Sequence, residues 1–173
     1  MISIDFHLKN KEKISISFLK EKIDKKIKIL KKISEIFLDY PELKFYIQIN
    51  GIGFTIEKII KEIKSDNYIF IDKYSNKFIY KEYAQFQLLT EYKDDYNLII
   101  NCLESFNEGT VKIDLINLEK FYIKDESFYN NILQKNTFLS IEIHSDAEVF
   151  DICSNNCNNL MLICSSISKF LIE

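Results

Sequence analysis

Apolar and polar residues alternate from the first positions of the chain: Ile2, Ile4, Phe6 and Leu8, then Ile14, Ile16 and Phe18 beyond the polar turn Asn10-Lys11-Glu12-Lys13. Period-two patterns joined by a short polar link predict an antiparallel hairpin with one buried face. The period then lengthens. Leu19, Ile23, Ile27, Leu30, Ile33 and Phe37 follow helical spacing, and Tyr40-Pro41 marks the stop, because the residue before proline avoids the α region. Alternation returns at Leu43, Phe45, Ile47 and Ile49 and ends at Asn50-Gly51.

Thr55 is then placed to cap a short helix bearing Ile56, Ile59, Ile60 and Ile63, with Phe54 and Ile59 as a hydrophobic staple. Tyr68 to Tyr74 and Lys77 to Tyr83 predict a second hairpin around Ser75-Asn76. Asp94 or Asp95 caps a helix carrying Tyr96, Ile99, Ile100, Leu103 and Phe106, which Gly109 ends. Val111, Ile113 and Leu115 predict a strand, Phe128, Ile132 and Leu133 a short helix, and Leu139, Ile141 and Ile143 a further strand. Ser145-Asp146-Ala147-Glu148 has the form of a capping box and predicts a helix through Val149, Phe150 and Cys153. Leu160 to Cys164 reads as a late strand.

Hairpins lie beside one another and helices interrupt them irregularly. That order predicts an α+β fold: a mostly antiparallel sheet built from hairpins, with several amphipathic helices packed on one face. With 173 residues, no internal repeat and no Pro/Gly/Ser linker, residues 1–173 are expected to form a single domain.

Composition changes this picture in two ways. All 23 basic residues are lysine, and Ile, Lys and Asn are heavily used, the signature of an AT-rich, bacterial genome. The missing arginine removes the side chain best suited to bidentate phosphate or guanine contacts, which argues against nucleic acid as a partner. Charge is also divided along the chain. Residues 1–64 carry 14 lysines against 9 acids, net +5, whereas residues 65–173 are net −8. The lysine-rich first helix pairs Glu21 with Lys25 and Asp24 with Lys28 in the favourable i,i+4 order, as a solvated face does.

The start of the chain has neither the basic opening nor the apolar run of a signal peptide, and no stretch reaches the length of a membrane span. A cytoplasmic protein with no membrane role is expected. Cys102, Cys153, Cys157 and Cys164 are then free thiols.

Three constellations could carry chemistry. Gly51-Ile52-Gly53 follows a strand and precedes a helix, and Asp72 lies 21 residues after Gly51, as in a dinucleotide fingerprint. Ile56, however, stands where the third glycine belongs, and a turn with positive φ is the simpler reading. His144, Cys153, Cys157 and Cys164 could offer zinc ligands, but their spacing is loose for a zinc module. A histidine-based nucleophile would have to use His7 or His144, and no local signature supports either. No catalytic residue, cofactor or metal is expected, so the chain is read as non-enzymatic. The alternative is a small enzyme with a nucleotide or thiol site around Gly51-Gly53 and Asp72, or His144 and Cys153.

The acidic part of the chain points instead to binding. Tyr92-Lys93-Asp94-Asp95-Tyr96 and Tyr122-Ile123-Lys124-Asp125-Glu126 set carboxylates beside tyrosines. Tyrosine supplies contact area at low entropy cost, and acids steer basic partners. Tyr92, Asp94, Asp95, Tyr96, Asp125 and Glu126 are the candidate contacts. In type and composition the whole chain resembles the immunity proteins that bacteria make against polymorphic or contact-dependent toxins: small, often acidic, α+β and poor in catalytic motifs. The resemblance implies a cytoplasmic antitoxin that binds a cognate protein toxin and blocks its active site.

Overall fold

The computed structural model describes residues 1–7, 13–36, 43–66, 68–76, 81–103, 109–117, 137–143 and 148–172. Its strands are β1 (Ile2–His7), β2 (Lys13–Phe18), β3 (Leu43–Ile52), β4 (Tyr68–Asn76), β5 (Lys81–Thr90), β6 (Gly109–Asn117), β7 (Thr137–Ile143) and β8 (Val149–Ser154). The helices are α1 (Ile23–Glu35), α2 (Gly53–Glu62), α3 (Lys93–Cys102) and α4 (Cys157–Ile172). All eight strands join one antiparallel sheet in the order β1-β2-β8-β7-β6-β3-β5-β4. The fold is α+β.

Strand alternation sets the layers. Ile14, Ile16 and Phe18 of β2, Phe45, Ile47 and Ile49 of β3, Phe86 and Leu88 of β5, and Val111, Ile113 and Leu115 of β6 share one face, as the register requires. Against that face pack Ile27, Leu30 and Ile33 of α1, Ile56 and Ile59 of α2, Tyr96, Ile99 and Ile100 of α3, and Leu160, Ile163 and Ile167 of α4, in one continuous core. The helices form a single layer in which α1 touches α4 and α3, and α3 touches α2.

The second strand of the middle hairpin is displaced, β5 spanning Lys81–Thr90 where the sequence predicts Lys77 to Tyr83, and the expected turn Ser75-Asn76 belongs to β4. Two further elements differ in kind from the sequence expectation. Residues 149–154 form a strand, not a helix, inserted between β2 and β7. Phe150 and Ile152 point into the core and Val149, Asp151 and Cys153 away from it, so the segment alternates with period two. Phe150 meets Phe18 edge to face, with ring centroids 4.6 Å apart. Leu160 to Cys164 lies inside α4 and is not a strand. The burial of Leu160, Ile163 and Ile167 follows helical spacing, and Asn156 caps the helix by accepting the Asn158 N–H on Oδ1 at 3.0 Å.

Smaller shifts concern ends. The first helix begins at Ile23, leaving Leu19 exposed in a turn where Lys20 adopts a φ of 58°. Thr55 sits inside α2, buried, while Ile52 is the N-cap and makes no side-chain cap bond. Gly109 opens β6 instead of closing a helix. The expected helix at Phe128 to Leu133 and the capping box up to Ala147 lie outside the described residues.

Candidate partner-binding site

The candidate site grows from the corner where β5 passes into α3. Thr90, the last residue of β5, accepts the Tyr92 N–H on its hydroxyl at 3.0 Å and donates that hydroxyl to Asp95 Oδ2 at 2.9 Å. Asp95 in turn accepts the backbone N–H of Lys64 at 2.7 Å and of Ser65 at 3.0 Å, just beyond the end of α2. The Ser65 hydroxyl closes the network on the Leu89 carbonyl at 2.7 Å. A buried carboxylate with three donors is well satisfied, and it locks two helices and a strand end together.

This network assigns different tasks to the four neighbouring candidates. Asp95 is 1% exposed and ties down the exit of α2; it does not cap α3, whose N-cap is Tyr92. Tyr96 is likewise 1% exposed, its ring 4.8 Å from that of Phe45 and its hydroxyl donating to the Leu30 carbonyl. Neither residue is on the surface, so both are corrected from contact residues to parts of the core. Helical spacing carried the signal: Asp95 is four residues before Ile99 and falls on the buried stripe, while Asp94 falls off it. Tyr92 and Asp94 remain as surface residues, Tyr92 being 45% exposed. Asp125 and Glu126 lie outside the described residues.

Around Tyr92 opens a groove of about 250 Å³, bordered by Lys44, Lys64, Asp66 and Glu91. Both of its lysines are paired within the chain. Lys64 holds Asp94, and Lys44 reaches Glu91 at 3.2 Å. The Lys64 ammonium keeps the Asp94 carboxyl below its ordinary range, and that carboxylate raises the lysine.

The alternative chemical sites are placed as follows. Gly51 is a buried residue of β3, paired with Ala84 on one side and Gly109 on the other, and Gly53 opens α2. Neither has positive φ; Gly109 does, at 144°. Both neighbours of β3 are antiparallel, unlike the parallel βαβ unit that presents a pyrophosphate to a helix. Asp72 stands on β4, with β5 between it and β3. Cys153 is on β8, Cys157 begins α4, and all four thiols are free. Burial pushes the Cys102 and Cys164 thiols up, which suppresses their reactivity. His144 lies outside the described residues. Among the described residues no cluster of three or more His, Cys, Asp or Glu side chains could hold a metal ion.

One group escaped the sequence reading altogether. Asp114 of β6 is 1% exposed on the face of the sheet opposite the helices, opposite Tyr46 of β3 and Ser140 of β7. Lys112 Nζ at 3.3 Å and the Ser140 hydroxyl favour its charged form, but neither makes a well-aligned hydrogen bond. Burial outweighs them and pushes the carboxyl above its ordinary range. Cys153 lies in the same cross-sheet row, two strands from Asp114, or roughly 10 Å at ordinary strand spacing, too far for direct contact.

No helix of the described residues is long and apolar enough to cross a membrane. No protein-family model, curated protein or solved structure matches the chain.

Proposed function

We propose that the chain is a non-enzymatic binding protein of the bacterial cytoplasm, an immunity protein that binds and neutralises a cognate protein toxin through the β5–α3 corner. The observation that carries this reading is Tyr92: a large aromatic side chain, half exposed at the rim of a groove, on a backbone fixed by Thr90 and, through it, by Asp95. An aromatic anchor on a fixed backbone has less entropy to lose on binding, and such residues dominate interface energetics.

The adjoining carboxylates suit a basic partner. Asp94 and Glu91 are exposed and held by lysines that are themselves partly exposed. Surface ion pairs of this kind are screened by solvent and add little net stability. Lysines or arginines of a toxin's phosphate-binding site can therefore compete for them. The acidic balance of residues 65–173 would speed the encounter.

Co-expression tests the proposal. A toxin encoded beside this gene should arrest growth when expressed alone and be tolerated with the wild-type chain. Tyr92→Ala should lose that protection while accumulating normally. Full protection by the Tyr92→Ala protein would remove this corner from the interface.

A further inference from the structure

Among the described residues the sheet ends at β1, whose outer edge pairs with no strand. Just before β1 and just after β2, the Met1 and Leu19 backbones exchange hydrogen bonds, Leu19 N–H to Met1 O at 2.9 Å and the Met1 ammonium to Leu19 O at 2.9 Å. Antiparallel pairs alternate, so Ser3, Asp5 and His7 also direct their backbone groups at β2. The Phe18 N–H agrees, since it turns away from β1 and donates to the Glu148 carbonyl at 2.8 Å. Ile2, Ile4 and Phe6 consequently direct their N–H and C=O groups outward, where no described strand pairs with them.

Edges are normally blunted by lysine, proline or a bulge. Ile2–His7 has none of these: its register with β2 is unbroken and its sequence is ISIDFH. The side chains on the core face are also incompletely covered. Ile2 and Ile4 pack against the core from its margin, and Phe6 is 37% exposed.

We propose that β1 is a homodimerisation strand, pairing antiparallel with β1 of a second copy to join two sheets into one. The strand is self-complementary about Ile4. A two-fold axis there sets Ile4 opposite Ile4 and Ile2 opposite Phe6 of the second copy, and these are the residues whose backbone groups face outward. On the core face, apolar side chains meet apolar side chains and extend the existing core. On the other face Asp5 stands opposite Ser3 of the second copy, so no like charges oppose. The inference is independent of the toxin-binding corner, which lies at β5–α3.

Sedimentation equilibrium of the full chain across a dilution series provides the test. The wild type should run at twice the 20.6 kDa chain mass at high concentration. Ile4→Pro deletes an outward N–H that bonds to no described residue, and proline is tolerated on edge strands, so it should give a folded monomer. Phe6→Lys keeps every backbone donor and sets a charge at an exposed position of the seam; it should give a monomer too, and it decides the matter if the proline variant does not fold. A wild type that stays at the monomer mass throughout would overturn the proposal. So would a Phe6→Lys protein that remains dimeric, which would direct attention to the exposed Met161 and Leu162 of α4 instead.

Discussion

The Ser65 amide donates to the Asp95 carboxylate at 3.0 Å, joining the exit of α2 to the first turn of α3 inside the protein. Removing the carboxylate would take the acceptor from the buried Ser65 N–H and Thr90 hydroxyl and from the part-buried Lys64 N–H. Asp95→Ala should therefore cost roughly 2–4 kcal/mol in urea unfolding. Asp95→Asn keeps one acceptor oxygen and should lose less. Equal stability for Asp95→Ala and wild type would mean that the network contributes nothing net.

Gly109 illustrates a backbone requirement at a strand start. Its φ of 144° is strained for any residue with a Cβ, and a Cβ there would stand 2.2 Å from the Asn50 carbonyl oxygen and 2.9 Å from Gly51 Cα. Both obstacles are backbone. Gly109→Ala should lower stability by about 2 kcal/mol or more, read as a fall in the denaturation midpoint at unchanged slope.

Phe150 tests the assignment of residues 149–154 as a core strand. It is 1% exposed and stacked edge-on against Phe18. Phe150→Ala should cost about 3–5 kcal/mol. A loss under about 1 kcal/mol, as for a surface position, would contradict the insertion of β8 between β2 and β7.

Asp114 makes a prediction about pH. Its folded carboxyl is raised above its ordinary 3.8 by burial, so the native state holds the proton more tightly than the unfolded chain does. Its contribution to stability is fully present below 3.8 and is lost as pH rises through the folded value. At neutral pH the buried charge opposes folding. Asp114→Asn should stabilise the protein at pH 7 and remove that part of the acid-range dependence, measured by urea unfolding at several pH values. A variant less stable than wild type at pH 7 would show that the Lys112 ion pair outweighs desolvation.

Clean alternation made most of the sheet legible from sequence. β1, β2, β3, β6 and β7 each carry apolar residues at every second position, facing helices on one side only. β8 was lost because Ser145–Glu148 resembles a capping box, a local signal that the empty slot between β2 and β7 overrides. α4 was lost because Leu160–Cys164 is too short and uniformly apolar to display a period. At the site, charge and aromaticity singled out Tyr92 through Tyr96 but could not divide them; the buried stripe through Ile99 and Tyr96 does. Asp114 was invisible for a related reason. Alternation assigns it to the face away from the helices, and nothing local says that this part of that face is buried.

The central claim is that an exposed Tyr92 on a fixed backbone anchors a protein partner. Titration calorimetry of the purified cognate toxin against wild type and Tyr92→Ala measures it most directly, with thermal unfolding run on both. A centrally buried tyrosine carries about 2 kcal/mol or more, so the variant should bind roughly 30-fold more weakly or worse while its unfolding midpoint stays within a degree or so of wild type. An unchanged dissociation constant for a folded Tyr92→Ala protein would contradict the account.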